Sequence, residues 1–357
     1  MLYKKKRIFE GKTTDADSYR RDYVKGIESY IERRCAAARN ERYKLITSGD
    51  FKENQVQYRK MYLGMLGADK ILSEPTGEVE RVFVCDDEVC KIFRLKVYIT
   101  PEIPMYAMLL LPHNVKAPVP LVVAQHGGGG TPESCSDFDG KNNYNHMVQR
   151  VLERGAAVIA PQLLLWSQSE SEAIRAHNVP YNRQQIDSKL KRLGLSMTGL
   201  EVAGIMRCID YASSLPEIDS ESVGMIGLSY GGYFTLHTMA ADERIKVGYS
   251  AGCFNDRDVY DWSDWCYNGS ALSFQDAEVM ALCAPRPIYV SVGCADEVFD
   301  YKYAIPEAHR AKEYYALLGC GENFRFSVWS GGHTVEDGDE GYDFLFDVLK
   351  GDKKCTE

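Results

Sequence analysis

The sequence contains no apolar run approaching the roughly 20 residues that a membrane-spanning helix needs. Its start, MLYKKKRIFEGK, is charged and has no apolar core of the kind found in a secretory signal. Basic residues are outnumbered, with 42 Lys and Arg against 51 Asp and Glu and a net charge of −9, which disfavours binding to a phosphate backbone. We therefore expect a cytoplasmic protein that binds neither membrane nor nucleic acid.

Metal-binding spacings are also missing. None of the 11 cysteines forms a CxxC pair, and the seven histidines form neither an HxH nor an HExxH pattern. Scattered cysteines in odd number are typical of reduced thiols in a cytosolic protein rather than of a disulfide framework. These patterns predict no metal site, and no motif indicates a cofactor.

The 357 residues are enough for one large core and a smaller appendage, and 45% of them are hydrophobic. Residues 13–65 carry apolar side chains at helical spacing, which predicts a helical N-terminal extension over 1–79. A catalytic domain over 80–357 is predicted to follow, with 165–197 as an insertion and a candidate cap above the sheet.

From residue 80 onward, short apolar runs alternate with helical segments. The runs predicted as strands are 119–127, 156–164, 222–229, 244–252, 286–293 and 324–332. Strands separated by helices indicate an α/β fold with a mostly parallel sheet covered by helices on both faces. Two earlier runs, 92–99 and 105–112, are candidates for antiparallel strands at its start.

The motif Gly227-Leu-Ser-Tyr-Gly231 lies at the end of the predicted strand 222–229 and places the hydroxyl of Ser229 at a tight turn. Small residues around Ser229 suit a sharp strand-to-helix reversal, which strains the central residue and lifts its side chain clear of the sheet. The motif therefore predicts a serine nucleophile.

Partners for that serine are found at the ends of two later strands. His333, in SGGHTV, is the candidate base, and Asp296, in GCADEVFD, is the candidate acid that orients it. Glu297 and Asp300 stand close enough to replace Asp296, so Asp296 is preferred by its position alone.

Four glycines follow a strand in QHGGGG, residues 125–130. Uncovered backbone N–H groups of this kind let an oxyanion approach closely. One donor from this loop, Gly127 or Gly128, together with the N–H of Tyr230, is predicted to form an oxyanion hole. A phosphate-binding loop is disfavoured because no Lys-Ser or Lys-Thr follows.

These segments resemble the α/β-hydrolase superfamily, whose chain order of serine, acid and histidine is the order seen here. Within it, VVAQHGGGG, MIGLSYGGY, VGCADEVF and WSGGHTV are similar to dienelactone hydrolase-like and acetyl xylan esterase-like enzymes. The resemblance implies a metal-free ester hydrolysis with Ser229, Asp296 and His333 as the triad. HGGGG is richer in glycine than the family's usual loop, which leaves open which amide is the donor.

The sequence predicts a serine esterase acting on a small-molecule ester, such as an acylated carbohydrate. The aromatic residues proposed as a sugar platform or, equally, as lid or core packing are Trp166, Tyr260, Trp262, Trp265 and Tyr267. Two alternatives are a peptidase of the prolyl-oligopeptidase type and a non-catalytic binding module. The acyl group, the alcohol and self-association into a homo-oligomer are left open.

Overall fold

Nine β-strands form one sheet through the described part of the chain. The computed structural model describes residues 10–351, apart from 114, 141, 165–168, 170 and 172–179. The strands are β1 (Glu80–Asp86), β2 (Cys90–Thr100), β3 (Ile103–Pro112), β4 (Val119–Gln125), β5 (Ala157–Pro161), β6 (Ile218–Leu228), β7 (Ile245–Ala251), β8 (Ile288–Gly293) and β9 (Phe324–Trp329).

The strand order is β1-β2-β3-β5-β4-β6-β7-β8-β9. The first three pairings, from β1 to β5, are antiparallel, and the remaining five are parallel. Parallel neighbours end at the same edge of the sheet, so the loops after β4, β6, β8 and β9 meet there. This edge carries the candidate site.

Helices cover both faces of the sheet. They are α1 (Asp17–Thr47), α2 (Gln55–Leu66), α3 (Ala68–Leu72), α4 (Pro132–Cys135), α5 (Met147–Glu153), α6 (Arg183–Arg192), α7 (Met197–Ser213), α8 (Tyr230–Ala241), α9 (Ser270–Ser273), α10 (Asp276–Cys283), α11 (Tyr301–Leu317) and α12 (Glu340–Leu349). Short 3-10 turns span Thr13–Ala16, Ser263–Trp265 and Gly321–Asn323. No helix among the described residues combines the length and apolarity needed to cross a bilayer.

The central strands are buried on both sides because their side chains alternate between two cores. Leu121 and Val123 of β4 belong to the core beneath α7 and α8, whereas Val122 and Ala124 belong to the core beneath α5 and α12. Near-continuous apolar runs in the sequence thus reflect strands covered by helices on either side. The prediction of an α/β-hydrolase-type sheet with helices on both faces is confirmed.

The N-terminal helices differ in how much of them reaches this core. Tyr62 and Leu66 of α2 and Ile71 of α3 lie in the same hydrophobic cluster as the sheet. In α1 the first buried residue is Ala38, while Arg42, further along, is fully buried against Glu278. The boundary at residue 79 stays a prediction, although β1 begins at Glu80.

Most predicted elements are present with shifted ends. The helix expected near 141–154 begins only at Met147, because Asn145 and His146 adopt positive φ angles that a helix cannot use. Strand β1 has no counterpart among the predicted strands. Residues 10–79 contain helices and no strand, so the described residues hold no β-propeller of the kind that usually precedes prolyl-oligopeptidase domains.

Candidate active site

Ser229 lies at the turn between β6 and α8, with φ 60° and ψ −120°. An L-residue rarely occupies this region, so the surrounding structure must hold it there. A Cβ on Gly227 would overlap the carbonyl of Gly231, and a Cβ on Gly231 would overlap the carbonyl of Gln125. The glycines on both sides of the serine are therefore required by packing, which gives the motif a mechanical reason.

His333 and Asp296 are joined by a hydrogen bond of 2.8 Å between Nδ1 and Oδ2. The Asp296 side chain is only 1% exposed, and its Oδ1 accepts the backbone N–H groups of Val298 and Phe299 at 2.8 and 2.9 Å. This arrangement leaves Nε2 of His333 as the ring nitrogen turned away from the acid. A buried carboxylate holding Nδ1 is the geometry that orients a catalytic histidine.

The other two acidic candidates have different contacts. Asp300 begins α11, where its Oδ1 accepts the N–H of Lys302 at 3.0 Å. Glu297 forms no hydrogen bond to His333 in the described part of the chain. Of the three acids considered from sequence, the structure joins Asp296 alone to the imidazole.

One cavity of about 240 Å³ brings the serine and the histidine together. Its lining consists of Gly127, Gly128, Asn143, Tyr144, Ser229, Tyr230, Trp262, Val298 and His333. Asn143, which the sequence did not single out, donates from Nδ2 to the carbonyl of His333 at 3.0 Å. This contact ties the histidine loop to the segment that follows α4.

The glycine loop passes close to the serine. A Cβ on Gly127 would stand 2.9 Å from the carbonyl oxygen of Leu228 and 3.1 Å from Cβ of Ser229. The Gly127 N–H already donates to the Tyr144 hydroxyl at 2.8 Å. Among the described residues the Gly128 N–H has no acceptor, and the Tyr230 N–H lies at the amino end of α8. Of the two predicted oxyanion donors in this loop, the Gly127 N–H is therefore already bonded to Tyr144. The Gly128 N–H has no such competing contact.

His126 anchors the start of this loop from inside the protein. Its Nδ1 lies 2.9 Å from the carbonyl of Gly127, and its Nε2 accepts the N–H of Leu163 at 2.9 Å. Complete burial lowers the pKa of His126 to about 4, because a charged imidazole would lose its hydration. A neutral ring with Nδ1 protonated satisfies both contacts, so this histidine holds the loop rather than titrating near neutral pH.

The aromatic residues expected as a sugar platform separate into two groups. Trp262 lines the cavity beside Ser229. Trp265 is buried and stacks on Tyr233 with ring centroids 4.9 Å apart, while Tyr267 is buried in the core. The Tyr260 hydroxyl accepts the N–H of Asp300 at 2.8 Å, away from the serine. Trp166 lies outside the described residues.

A buried ionic cluster connects helix α6 to the turn between β6 and α8 that carries Ser229, which we call the elbow. Arg183 of α6 forms two bonds to Glu201, at 2.9 and 2.7 Å, and one of 2.8 Å to Asp264. Asp264 also accepts the Tyr230 hydroxyl at 3.1 Å. Burial lowers the pKa of Arg183, but the two carboxylates outweigh it, and the net pKa is raised. The guanidinium thus stays charged beneath the residue that follows the serine.

No group of three or more His, Cys, Asp or Glu side chains within the described ranges is placed to hold a metal ion. The polar groups around the cavity are a serine, an imidazole, the amide side chain of Asn143, two tyrosines and backbone N–H groups. This set can attack an acyl carbon, protonate the departing alcohol and stabilise negative charge on the acyl oxygen.

The dienelactone hydrolase family matches residues 105–315, more than half of this chain. The chain belongs to that family. A lactone is a cyclic carboxylic ester, and this dienelactone hydrolase family member is accordingly a carboxylic-ester hydrolase. Both the family and the enzyme class predicted from the sequence are confirmed.

Individual relatives are more distant. YtaP of Bacillus subtilis (strain 168), whose name gives a hydrolase activity without a substrate, is 23% identical over 239 residues, covering 64% of this chain and 77% of YtaP. Acetyl xylan esterase 1 from Thermoanaerobacterium sp. JW/SL YS485 superposes with a TM-score of 0.54 at 16% identity, covering 83% of this chain and 94% of that one. A glucuronoyl esterase from Solibacter usitatus gives 0.57 at 16% identity, over 82% and 92%. These structures are similar in fold.

Proposed function

We propose that this enzyme cleaves esters through Ser229, His333 and Asp296 by way of an acyl-enzyme. In the first step the Ser229 oxygen bonds to the acyl carbon while His333 takes the hydroxyl proton and passes it to the departing alcohol. In the second, a water bonds to the acyl carbon, His333 takes the water proton, and that proton returns to the Ser229 oxygen as the acid leaves. Asp296 keeps the imidazole in the tautomer that accepts at Nε2.

The hydrogen bond of 2.8 Å between His333 and Asp296, at a cavity that Ser229 also lines, carries this proposal. Negative charge on the acyl oxygen would be met by the N–H groups of Gly128 and Tyr230. Each such donor contributes roughly 10²–10³ in rate in hydrolases where one has been removed. Tyr144 keeps the Gly127 amide occupied and so fixes the loop that presents Gly128.

The substrate that suits this cavity best is a short acyl ester of a carbohydrate. About 240 Å³ beside an apolar Val298 and the flat ring of Trp262 accommodates an acetyl group with one sugar ring against the indole. Two structural neighbours are named as acetyl xylan and glucuronoyl esterases, and both names refer to carbohydrate esters. We propose the same general class for this enzyme.

Hydrolysis of p-nitrophenyl acetate by Ser229→Ala tests the mechanism. We expect kcat/KM to fall by several orders of magnitude, as removal of a triad serine does in other hydrolases. Ser188→Ala, an exposed serine on α6, serves as the matched control and is expected to keep full activity. A fluorophosphonate probe should label Ser229 in the control protein. Retained activity in Ser229→Ala would overturn the assignment of the nucleophile.

Acetylated oligosaccharides compared with aryl acetates test the substrate class. If the sugar rests on Trp262, Trp262→Ala raises KM for acetylated xylo-oligosaccharides more than for p-nitrophenyl acetate. Trp329→Ala offers a control tryptophan that does not line the cavity. Equal effects on both substrates would remove the carbohydrate proposal and leave the esterase mechanism standing.

A further inference from the structure

The short 3-10 turn Ser263–Trp265 directly follows Trp262, which lines the cavity beside Ser229. Each of its three backbone carbonyls accepts a hydrogen bond from a side chain of a different helix. Lys191 of α6 donates to the first at 2.5 Å, Thr198 of α7 to the second at 2.9 Å, and the Tyr233 hydroxyl of α8 to the third at 3.2 Å. A single turn cannot pair its own last carbonyls, so these side chains determine where the turn lies.

The position of Trp262 depends on this turn. Its carbonyl accepts the N–H of Trp265 at 2.8 Å, and the two indole rings lie against each other with centroids 4.6 Å apart. The rings of Tyr230 and Phe299 are the next neighbours, with centroids 5.9 and 5.6 Å from that of Trp262. A displacement of the turn would therefore carry with it the indole that borders the cavity.

Helix α6 presents three charged side chains at four-residue spacing, Arg183, Asp187 and Lys191. This spacing places them on one face of the helix. Arg183 bonds to Asp264 of the turn at 2.8 Å. Lys191, which also donates to the first carbonyl of the turn, pairs with Asp187 at 2.5 Å, and Asp187 in addition accepts the first N–H of α7 at 2.9 Å. One face of α6 thus holds the turn through both a side chain and a backbone carbonyl.

The influence of α6 on the cavity is indirect, because the cavity lining contains none of the described residues of this helix. The three side chains that hold the turn carbonyls also differ in burial. Thr198 and Tyr233 belong to the closed interior, whereas the Lys191 side chain is 29% exposed. Replacing Lys191 therefore releases one support of the turn without opening the core.

We propose that Lys191 is a positioning residue for substrate specificity. By holding the turn, it sets the position of the Trp262 ring, on which a sugar in the alcohol part of the ester would rest. The inference builds on the proposed hydrolysis of carbohydrate esters. It assigns to the 165–197 region, predicted from the sequence as a candidate cap, a role in selecting the alcohol through α6.

Steady-state kinetics of Lys191→Met test this role. KM for acetylated xylo-oligosaccharides should rise about three- to tenfold, the range in which losing an aromatic contact weakens binding, with kcat unchanged because the triad is untouched. For p-nitrophenyl acetate, kcat/KM should stay within about twofold of wild type. Lys189→Met, exposed on the opposite face of α6, is the matched control and should behave like the wild type. Lys191→Arg should keep the wild-type KM, since a guanidinium can donate to the same carbonyl.

A double-mutant cycle tests whether Lys191 acts through Trp262. In a Trp262→Ala background, Lys191→Met should raise KM for the oligosaccharides no further, because the ring that the lysine positions is gone. Additive effects of the two changes would overturn the proposal, and so would an unchanged KM in Lys191→Met alone.

Tryptophan emission follows the same indole without any substrate. The difference between the spectra of wild type and Trp262→Phe isolates the emission of Trp262, and the same difference is measured in a Lys191→Met background. We expect it to move to longer wavelength there, because a released indole is more exposed to water. Identical difference spectra would contradict a positioning role.

The emission measurement also separates this inference from the proposed function. If Trp262→Ala leaves KM for the oligosaccharides unchanged, the carbohydrate proposal fails. A shifted difference spectrum would in that case still assign the position of Trp262 to Lys191, and an unshifted one would remove the inference as well.

Discussion

Helix α8 and the first half of helix α1 are both helical segments with abundant apolar side chains, and they have opposite surroundings. All twelve residues of Tyr230–Ala241 are buried between strands and neighbouring helices, whereas none of Asp17–Arg34 is buried. Burial is therefore decided by where the chain connections place a helix. The helix beside the nucleophile is held from every side, whereas the first half of α1 remains exposed.

The largest expected effect comes from breaking the ionic cluster beneath the elbow. Arg183→Met leaves Glu201 and Asp264 buried without their counter-charge, and loss of one partner of a buried pair typically costs about 3–5 kcal/mol. Urea unfolding measures this loss. Arg192→Met, at an exposed position of the same helix, should stay within about 0.5 kcal/mol of wild type. Equal stability of the two variants would mean that the cluster does not support α8.

A methyl group at the elbow should have the next largest effect. Gly231→Ala directs Cβ into the carbonyl of Gln125, which belongs to the backbone of β4 and cannot move aside. Overpacking of this kind costs about 3 kcal/mol, and the displaced serine turn should lose esterase activity as well. Thermal unfolding and p-nitrophenyl acetate hydrolysis provide the two measurements. A stable, active Gly231→Ala would show that the elbow is looser than its contacts indicate.

Lowering the pH should destabilise the wild type more than a variant that lacks His126, the residue that anchors the glycine loop. The pKa of His126 falls from 6.5 to about 4 on burial, so the unfolded chain binds more protons than the folded one between these values. Its contribution to stability is complete above pH 6.5 and is lost as the pH falls through 4. Between pH 7.5 and 5 the loss is about 2 kcal/mol, at 1.36 kcal/mol per pKa unit.

His126→Gln should therefore be less stable than wild type at pH 7.5 but lose about 2 kcal/mol less on acidification to pH 5. Comparing urea midpoints of the two proteins at each pH cancels the titration of other buried groups such as Glu307. Parallel pH profiles for the two proteins would indicate that folding leaves the pKa of His126 unchanged.

The smallest effect is expected in α1, with the opposite sign. No atom lies within 4 Å of the position that a methyl group on Gly26 would occupy, so Gly26→Ala meets no obstacle. An alanine in a helix interior is favoured over glycine by about 0.5–1 kcal/mol. Circular dichroism should report a more helical and slightly more stable protein. Destabilisation by Gly26→Ala would indicate that this part of α1 is not helical or is packed against another surface.

Much of the fold could be read from local patterns. Apolar runs of strand length ending in glycine or a polar residue marked β4 to β9, and the intervening 3.6-residue periodicity marked α7, α8, α11 and α12. The start of α5 was predicted too early because nothing in the local sequence indicates that Asn145 and His146 adopt positive φ angles. Strand β1 was missed because it is an exposed edge strand without a buried face.

The residues of the candidate site that could be predicted are those whose type and position at a strand end already indicate their chemistry. Ser229, Asp296 and His333 could be named from motif and order, since parallel strands deliver their loops to one edge. Asn143 and Tyr144 could not, because their role depends on a loop folding back across that edge. The same holds for Trp262, which lines the cavity, and Trp265, three residues later, which does not.

Local sequence determined the order and kind of the elements and which chemically active groups would stand at strand ends. Side-chain periodicity and the backbone conformations that require glycine depend on only a few neighbouring residues, so they can be recognised in the sequence alone. Only the tertiary structure decided which acid bonds His333, that Tyr144 occupies the Gly127 amide, and that half of α1 lies outside the core. Those outcomes depend on distances between segments far apart in the chain, which packing and hydrogen bonding settle together.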